Sequence, residues 1–106
     1  MKHARWHDRA LQDADEAAEW YAGQGGESLE LALIDALQAA VSLLEVTPGA
    51  GSPRHDGLME GLAAPLRFMP IRRFDDYLIY YIELPTHLQV LRVWNARRGL
   101  YALLES

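Results

Sequence analysis

Between Asp76 and Glu83 the chain reads Tyr-Leu-Ile-Tyr-Tyr-Ile, with no charged residue. A run of β-branched, aromatic and leucine side chains has no solvent-facing side, so it fits a strand covered on both faces. It predicts the centre of a sheet over Tyr77 to Glu83. Leu66 to Ile71 and Leu88 to Trp94 are largely apolar stretches, each interrupted by one arginine, and supply further strands. The connections are turn-sized: Arg72-Arg73-Phe74 leads to the turn pair Asp75-Asp76, and Leu84-Pro85-Thr86-His87 forms the second. Connections this short join antiparallel neighbours, so the three strands make a meander.

Upstream, Lys2 to Trp6 reads as a short strand. Asp8 then caps a helix whose early Asp13, Asp15 and Glu16 suit its positive end. Leu11, Ala14, Ala18 and Tyr21 recur at helical spacing. Gly23-Gln24-Gly25-Gly26 ends that helix and permits a reversal. The second helix has the broader apolar face: Leu29, Leu33, Ala36, Leu37, Ala40 and Leu44 form a stripe, widened by Leu31, Ile34, Val41 and Leu43. Such a helix is either wedged between a partner helix and the sheet or offers a docking face to another chain. Thr47-Pro48-Gly49 terminates it, residues 48–65 form a glycine- and proline-rich loop, and the apolar tail Leu100 to Leu104 must cover something.

Helices segregated from strands predict a single α+β domain over residues 1–106. The expected order is β-α-α-β-β-β, a short N-terminal strand and a helical hairpin packed on a mainly antiparallel sheet. Strict alternation puts Leu91 and Val93 under the helices, and Val90, Arg92 and Trp94 on the opposite, open face. On the first strand Arg67, Met69, Ile71 and Arg73 share one parity. An open face that is partly apolar and studded with arginine suits a surface that a partner covers. The plainer alternative is that each arginine lies along the sheet and solubilises it.

With no cysteine, disulfides, thiol nucleophiles and cysteine zinc sites are excluded. No apolar run approaches the roughly 18 residues of a membrane span, so a cytoplasmic protein without membrane partners is expected. The net charge is −5, but its distribution is uneven. Residues 1–47 hold three basic and nine acidic groups, whereas residues 48–106 hold seven and six. An acidic chain is a poor general binder of free nucleic acid, although a local arginine patch can still bind one anionic surface.

The order of features matches a family. Leu44-Glu45-Val46-Thr47-Pro48-Gly49-Ala50-Gly51, Leu66-Arg67, Arg72-Arg73-Phe74, Tyr77-Leu78-Ile79-Tyr80-Tyr81 and Val90-Leu91-Arg92-Val93-Trp94-Asn95-Ala96-Arg97-Arg98 follow the pattern of the RelE/ParE toxins. Over nearly its whole length the chain resembles that superfamily, and its subtype looks more like ParE than RelE. The resemblance implies a RelE/ParE-like fold and a toxin of a type II toxin–antitoxin system, held by a cognate antitoxin. ParE-like members act on DNA gyrase without being hydrolases; RelE-like members cut messenger RNA on the ribosome. Asn95 stands where ParE-like chains commonly carry histidine, and Gly99 lies near a frequent aspartate. Many family members are also basic. An inactive homologue that only binds an antitoxin is therefore a third reading, and a homodimer is compatible with all three.

Cleaving RNA through its 2′-hydroxyl needs a base, an acid and cations for the phosphate. Arg67, Arg73 and Arg92 could supply the cations, and Tyr101 matches roughly where RelE-like enzymes keep a tyrosine. A base is harder to find: Asn95 cannot take a proton at neutral pH, and Glu60, in the loop, is the sole candidate. Tyr101 has the alternative role of covering the core. If the chain is an enzyme, a metal-independent endoribonuclease is the form it would take. No metal or cofactor is expected. On an extended segment His3 and His7 are roughly 13 Å apart, and Gly23-Gln24-Gly25-Gly26 lacks the Lys-Ser/Thr of a phosphate loop. As a binder, the chain would meet an acidic, partly disordered antitoxin through Arg72, Arg73, Arg92, Trp94, Arg97 and Arg98.

Overall fold

The structure, a computed structural model, describes residues 1–105 apart from the side chain of Tyr101. Among the described residues, β1 (Ala4–Trp6), β2 (Leu66–Ile71), β3 (Phe74–Glu83) and β4 (Leu88–Asn95) form one sheet in the order β1-β4-β3-β2. The last three strands are the expected antiparallel meander, and β1 adds parallel to β4. β3 is interior, and Ile79, Tyr80, Tyr81 and Ile82 on it are buried whichever way they face. The α+β architecture holds.

The helical segment α1 (Asp8–Val46) is broken at Gly25 (φ −140°, ψ 15°) and Gly26 (φ 73°, ψ −167°). A straight helix of 39 residues would be about 58 Å long, against a longest dimension of 39 Å for the molecule. The chain doubles back instead. Lys2, just before the first half, donates its backbone N–H to the Glu45 carbonyl at the end of the second, at 3.0 Å. Gly26 sits where only glycine is unstrained, which is why the reversal falls there. The N-cap is His7 and not Asp8: the Arg9 N–H donates to His7 Nδ1 at 3.1 Å, leaving Asp8 in the first turn. No helix among the described residues is long and apolar enough to cross a membrane.

One core lies between the hairpin and the sheet, built from Leu33, Leu37, Val41 and Leu44 against Ile71, Ile79, Tyr81, Val90 and Val93. The other face is not open, contrary to expectation. Leu58, Met59 and Leu62 from the loop and Leu103 from the tail helix α2 (Leu100–Glu105) pack on Leu66, Tyr80, Ile82 and Trp94. The tail does cover something, as its composition required. The loop's part in this was invisible because three apolar side chains in a glycine-rich stretch show no periodicity.

Two local details also depart from the sequence reading. The β2–β3 turn is Arg72-Arg73, with Ile71 paired to Phe74, so Asp75 and Asp76 belong to β3. Between β3 and β4, Tyr80 pairs with Arg92 but Tyr81 pairs with Val90, which makes Leu91 the extra residue of a bulge. The bulge inverts the alternation. Val90 and Val93 both face the helices, while Leu91 and Trp94 face the second core.

Candidate functional site

The bulge exchanges the faces of Val90 and Leu91 but leaves Arg92 on the face of Trp94, paired with Tyr80. β1 stops at Trp6, opposite Val90, so beyond it β4 has no neighbouring strand on its outer side. Asp13 from the first half of α1 fills the gap. Its Oδ2 accepts the Val93 N–H at 3.0 Å and Arg92 Nε at 2.7 Å, and its Oδ1 accepts Arg92 Nη2 at 3.0 Å. Both side chains are about nine-tenths buried. Arg92 keeps the face that alternation gave it, that of Tyr80 and Trp94, but it is not exposed there: it is locked in a buried forked ion pair with α1.

Trp94 anchors the end of β4. It is 1% exposed, its indole N–H donates to the Gly99 carbonyl at 3.1 Å, and Arg92 and Arg98 lie 5.1 and 4.5 Å from its ring centre. Asn95 Oδ1 accepts the Arg97 N–H at 3.0 Å and caps the 3-10 turn Ala96–Arg98. Arg97 reaches Asp76 at 3.0 Å, an exposed pair of little energetic weight. The chain thus presents Arg97 and Arg98 outward and keeps Trp94 as their support.

Arg67 faces the hairpin side of the sheet. Its guanidinium donates to the Gly51 carbonyl at 2.8 Å, so it holds the loop that follows α1. Tyr81 ties the same loop, donating to the Pro48 carbonyl at 2.6 Å and accepting from the Gly51 N–H at 2.9 Å. Burial raises the Tyr81 phenol above its ordinary value, the more so for the nearby Glu83, while the Gly51 N–H and Arg67 pull it the other way.

Arg72 and Arg73 are exposed at the β2–β3 turn, and Arg73 has φ 75°, a left-handed backbone that side chains other than glycine rarely adopt. They stand at one rim of a groove of about 730 Å³ between the second half of α1 and β2. Ala32, Ala36 and Ala39 floor the groove, and Leu31 and Leu43, each about half exposed, flank it.

On the second face, His55 stacks on Phe68 at 4.4 Å and shares a 2.9 Å hydrogen bond with the Tyr80 hydroxyl. Burial raises Tyr80's phenol. A cavity of about 640 Å³ nearby includes Glu60, His7, Arg9 and Arg92 in its lining.

Of the residues suggested for RNA cleavage, the three with described side chains are engaged in three different places. Arg67 holds a loop, Arg73 forms a turn, Arg92 pairs with Asp13, and Tyr101's side chain lies outside the described residues. The suggested binding residues fall into two groups, Arg72 with Arg73 and Trp94 with Arg92, Arg97 and Arg98. Asp13 was not anticipated as a structural partner. Its signal is a carboxylate on the apolar stripe of Ala10 and Ala17, a position that demands a buried counter-charge.

The sequence model of the family described as the ParE toxin of type II toxin–antitoxin system, parDE, matches residues 4–100. Among solved structures, a chain of the chromosomal ParDE TA system from P. aeruginosa superposes with a TM-score of 0.71 at 21% identity, covering 90% of this chain and 96% of that one. Among curated proteins nothing matches. The likeness to the solved chain concerns the fold; the family match spans almost every element described above. This chain belongs to the ParE toxin family of type II toxin–antitoxin systems.

Proposed function

We propose that this toxin acts by binding DNA gyrase, not by cutting RNA, and that a cognate antitoxin neutralises it. The observation that carries the binding-only reading is the Asp13–Arg92 fork, since the strand arginine best placed by sequence for a phosphate is neutralised by a buried carboxylate. Arg67 is similarly engaged with the Gly51 carbonyl. Gyrase as target follows from ParE-type membership. The groove beside Arg72 and Arg73 suits the antitoxin: Ser28 to Leu43 spans about 22 Å of helix, the alanine floor lets a second helix approach closely, and the arginines meet its carboxylates.

Expressing the chain alone tests this. It should stop growth and produce DNA breaks before translation falls, and co-expressed antitoxin should restore growth. Translation failing first would favour the ribosomal nuclease, and no effect on growth would favour an inert antitoxin-binding homologue.

A further inference from the structure

The cavity of about 640 Å³ on the second face of the sheet is a depression over β4, floored by Leu91. Its two walls lie on opposite sides of that strand. The start of α1, with Arg9, stands at the outer edge, where the His7 N–H donates to the Val90 carbonyl at 2.9 Å. The loop, with Glu60, stands on the inner side, because its apolar residues pack over Leu66 and Tyr80 of β2 and β3. Leu104 of α2 borders the depression and is 49% exposed.

The charges here are unlike and unspent. Arg9 and Glu60 are both exposed, and among the described residues neither forms an ion pair. The other polar side chains of the lining are engaged: Arg92 is clamped by Asp13, and His7 Nδ1 accepts the Arg9 N–H. One wall thus offers a cation, the other an anion, with leucine between them.

We propose that this face binds a second copy of the chain in an isologous dimer, Arg9 of each copy pairing with Glu60 of the other. A twofold axis running along β4 between the walls exchanges them, so each cation meets an anion and the pair forms twice. The unlike charges select this occupant. Glu60 repels an anionic ligand and Arg9 a cationic one, whereas a second copy satisfies both. A chain of net charge −5 also meets its own copy with least repulsion where the local charges balance. Leu91 and Leu104 supply apolar area that the contact removes from water. The groove beside Arg72 and Arg73 opens on the hairpin side of the sheet, so the dimer leaves it accessible.

Sedimentation equilibrium of the purified chain over a range of concentrations tests this. A reversible monomer–dimer equilibrium is expected, weakened about tenfold or more by Arg9→Glu and by Glu60→Arg, each checked for an unchanged melting temperature. The double variant Arg9→Glu with Glu60→Arg rebuilds both pairs in the reversed sense and should return the affinity to within about threefold. Arg54→Glu makes the same change of charge at the far edge of the sheet, near Ser52, which pairs with Phe68 of β2. It should leave dimerisation unaltered. A monomer at every concentration, a dimer indifferent to the two reversals, equal weakening by Arg54→Glu, or losses that the double variant does not recover would each overturn the proposal. None of these readouts depends on toxicity, on antitoxin or on gyrase.

Discussion

The carboxylate of Asp13 completes the outer edge of β4, accepting the Val93 N–H while clamping Arg92 from two sides. One side chain thus fixes the helix to the sheet where no strand is available to do so. Removing it leaves a buried guanidinium and a buried amide without their acceptor. Asp13→Ala should cost about 3–5 kcal/mol of stability, measured by denaturant unfolding. Replacing both partners by leucine and methionine should recover much of that loss. A cost near zero for Asp13→Ala would mean that the pair is not buried in solution.

Gly51 approaches Tyr81 so closely that an added methyl group would meet the Tyr81 ring carbon Cε1 at 2.6 Å. The contact is with a tyrosine fixed at both ends of its hydroxyl bonds, so it cannot give way cheaply. Gly51→Ala should destabilise by about 1–3 kcal/mol. Tyr81→Phe should cost about 1–3 kcal/mol by leaving the Pro48 carbonyl and the Gly51 N–H unpaired. Thermal melts of the two variants check both values.

Arg73 occupies a left-handed turn position at φ 75°. Glycine would adopt it without strain, so Arg73→Gly should stabilise the fold by about 1 kcal/mol. The same change should weaken antitoxin binding, because Arg73 stands at the rim of the groove. A gain in stability with full antitoxin affinity would remove Arg73 from the proposed interface.

Burial raises the phenols of Tyr77, Tyr80 and Tyr81 above the ordinary value of 10.0. A group whose pKa is raised on folding holds its proton longer in the folded state than in the unfolded chain. Its stabilising contribution is complete below pH 10.0 and is lost as pH rises through the folded value. Melting temperature should therefore fall steeply above about pH 10, and Tyr80→Phe should soften that fall.

Much of this was readable from the chain itself. The uncharged run from Tyr77 to Ile82 places the central strand because no other arrangement covers both of its faces. The glycines at 25 and 26 mark the reversal because Gly26 takes a backbone that only a residue without Cβ adopts freely, and a Cβ at Gly25 would meet Leu29 at 2.8 Å. What alternation could not locate was the bulge at Leu91, a single extra residue that leaves no trace in composition yet exchanges the faces of Val90 and Leu91. The Arg72-Arg73 turn was hidden for a related reason, since Asp75-Asp76 has the better turn chemistry and tertiary pairing overrode it. The binding surfaces depend on such placements, so residue type alone could nominate Arg72 and Arg73 but not the groove beside them.

Gyrase supercoiling by the purified chain, with ribosome-bound messenger RNA probed in parallel, tests the central claim most directly. Inhibition of supercoiling, reversed by antitoxin and with the message intact, is the predicted result. Cleaved message with supercoiling unaffected would contradict it.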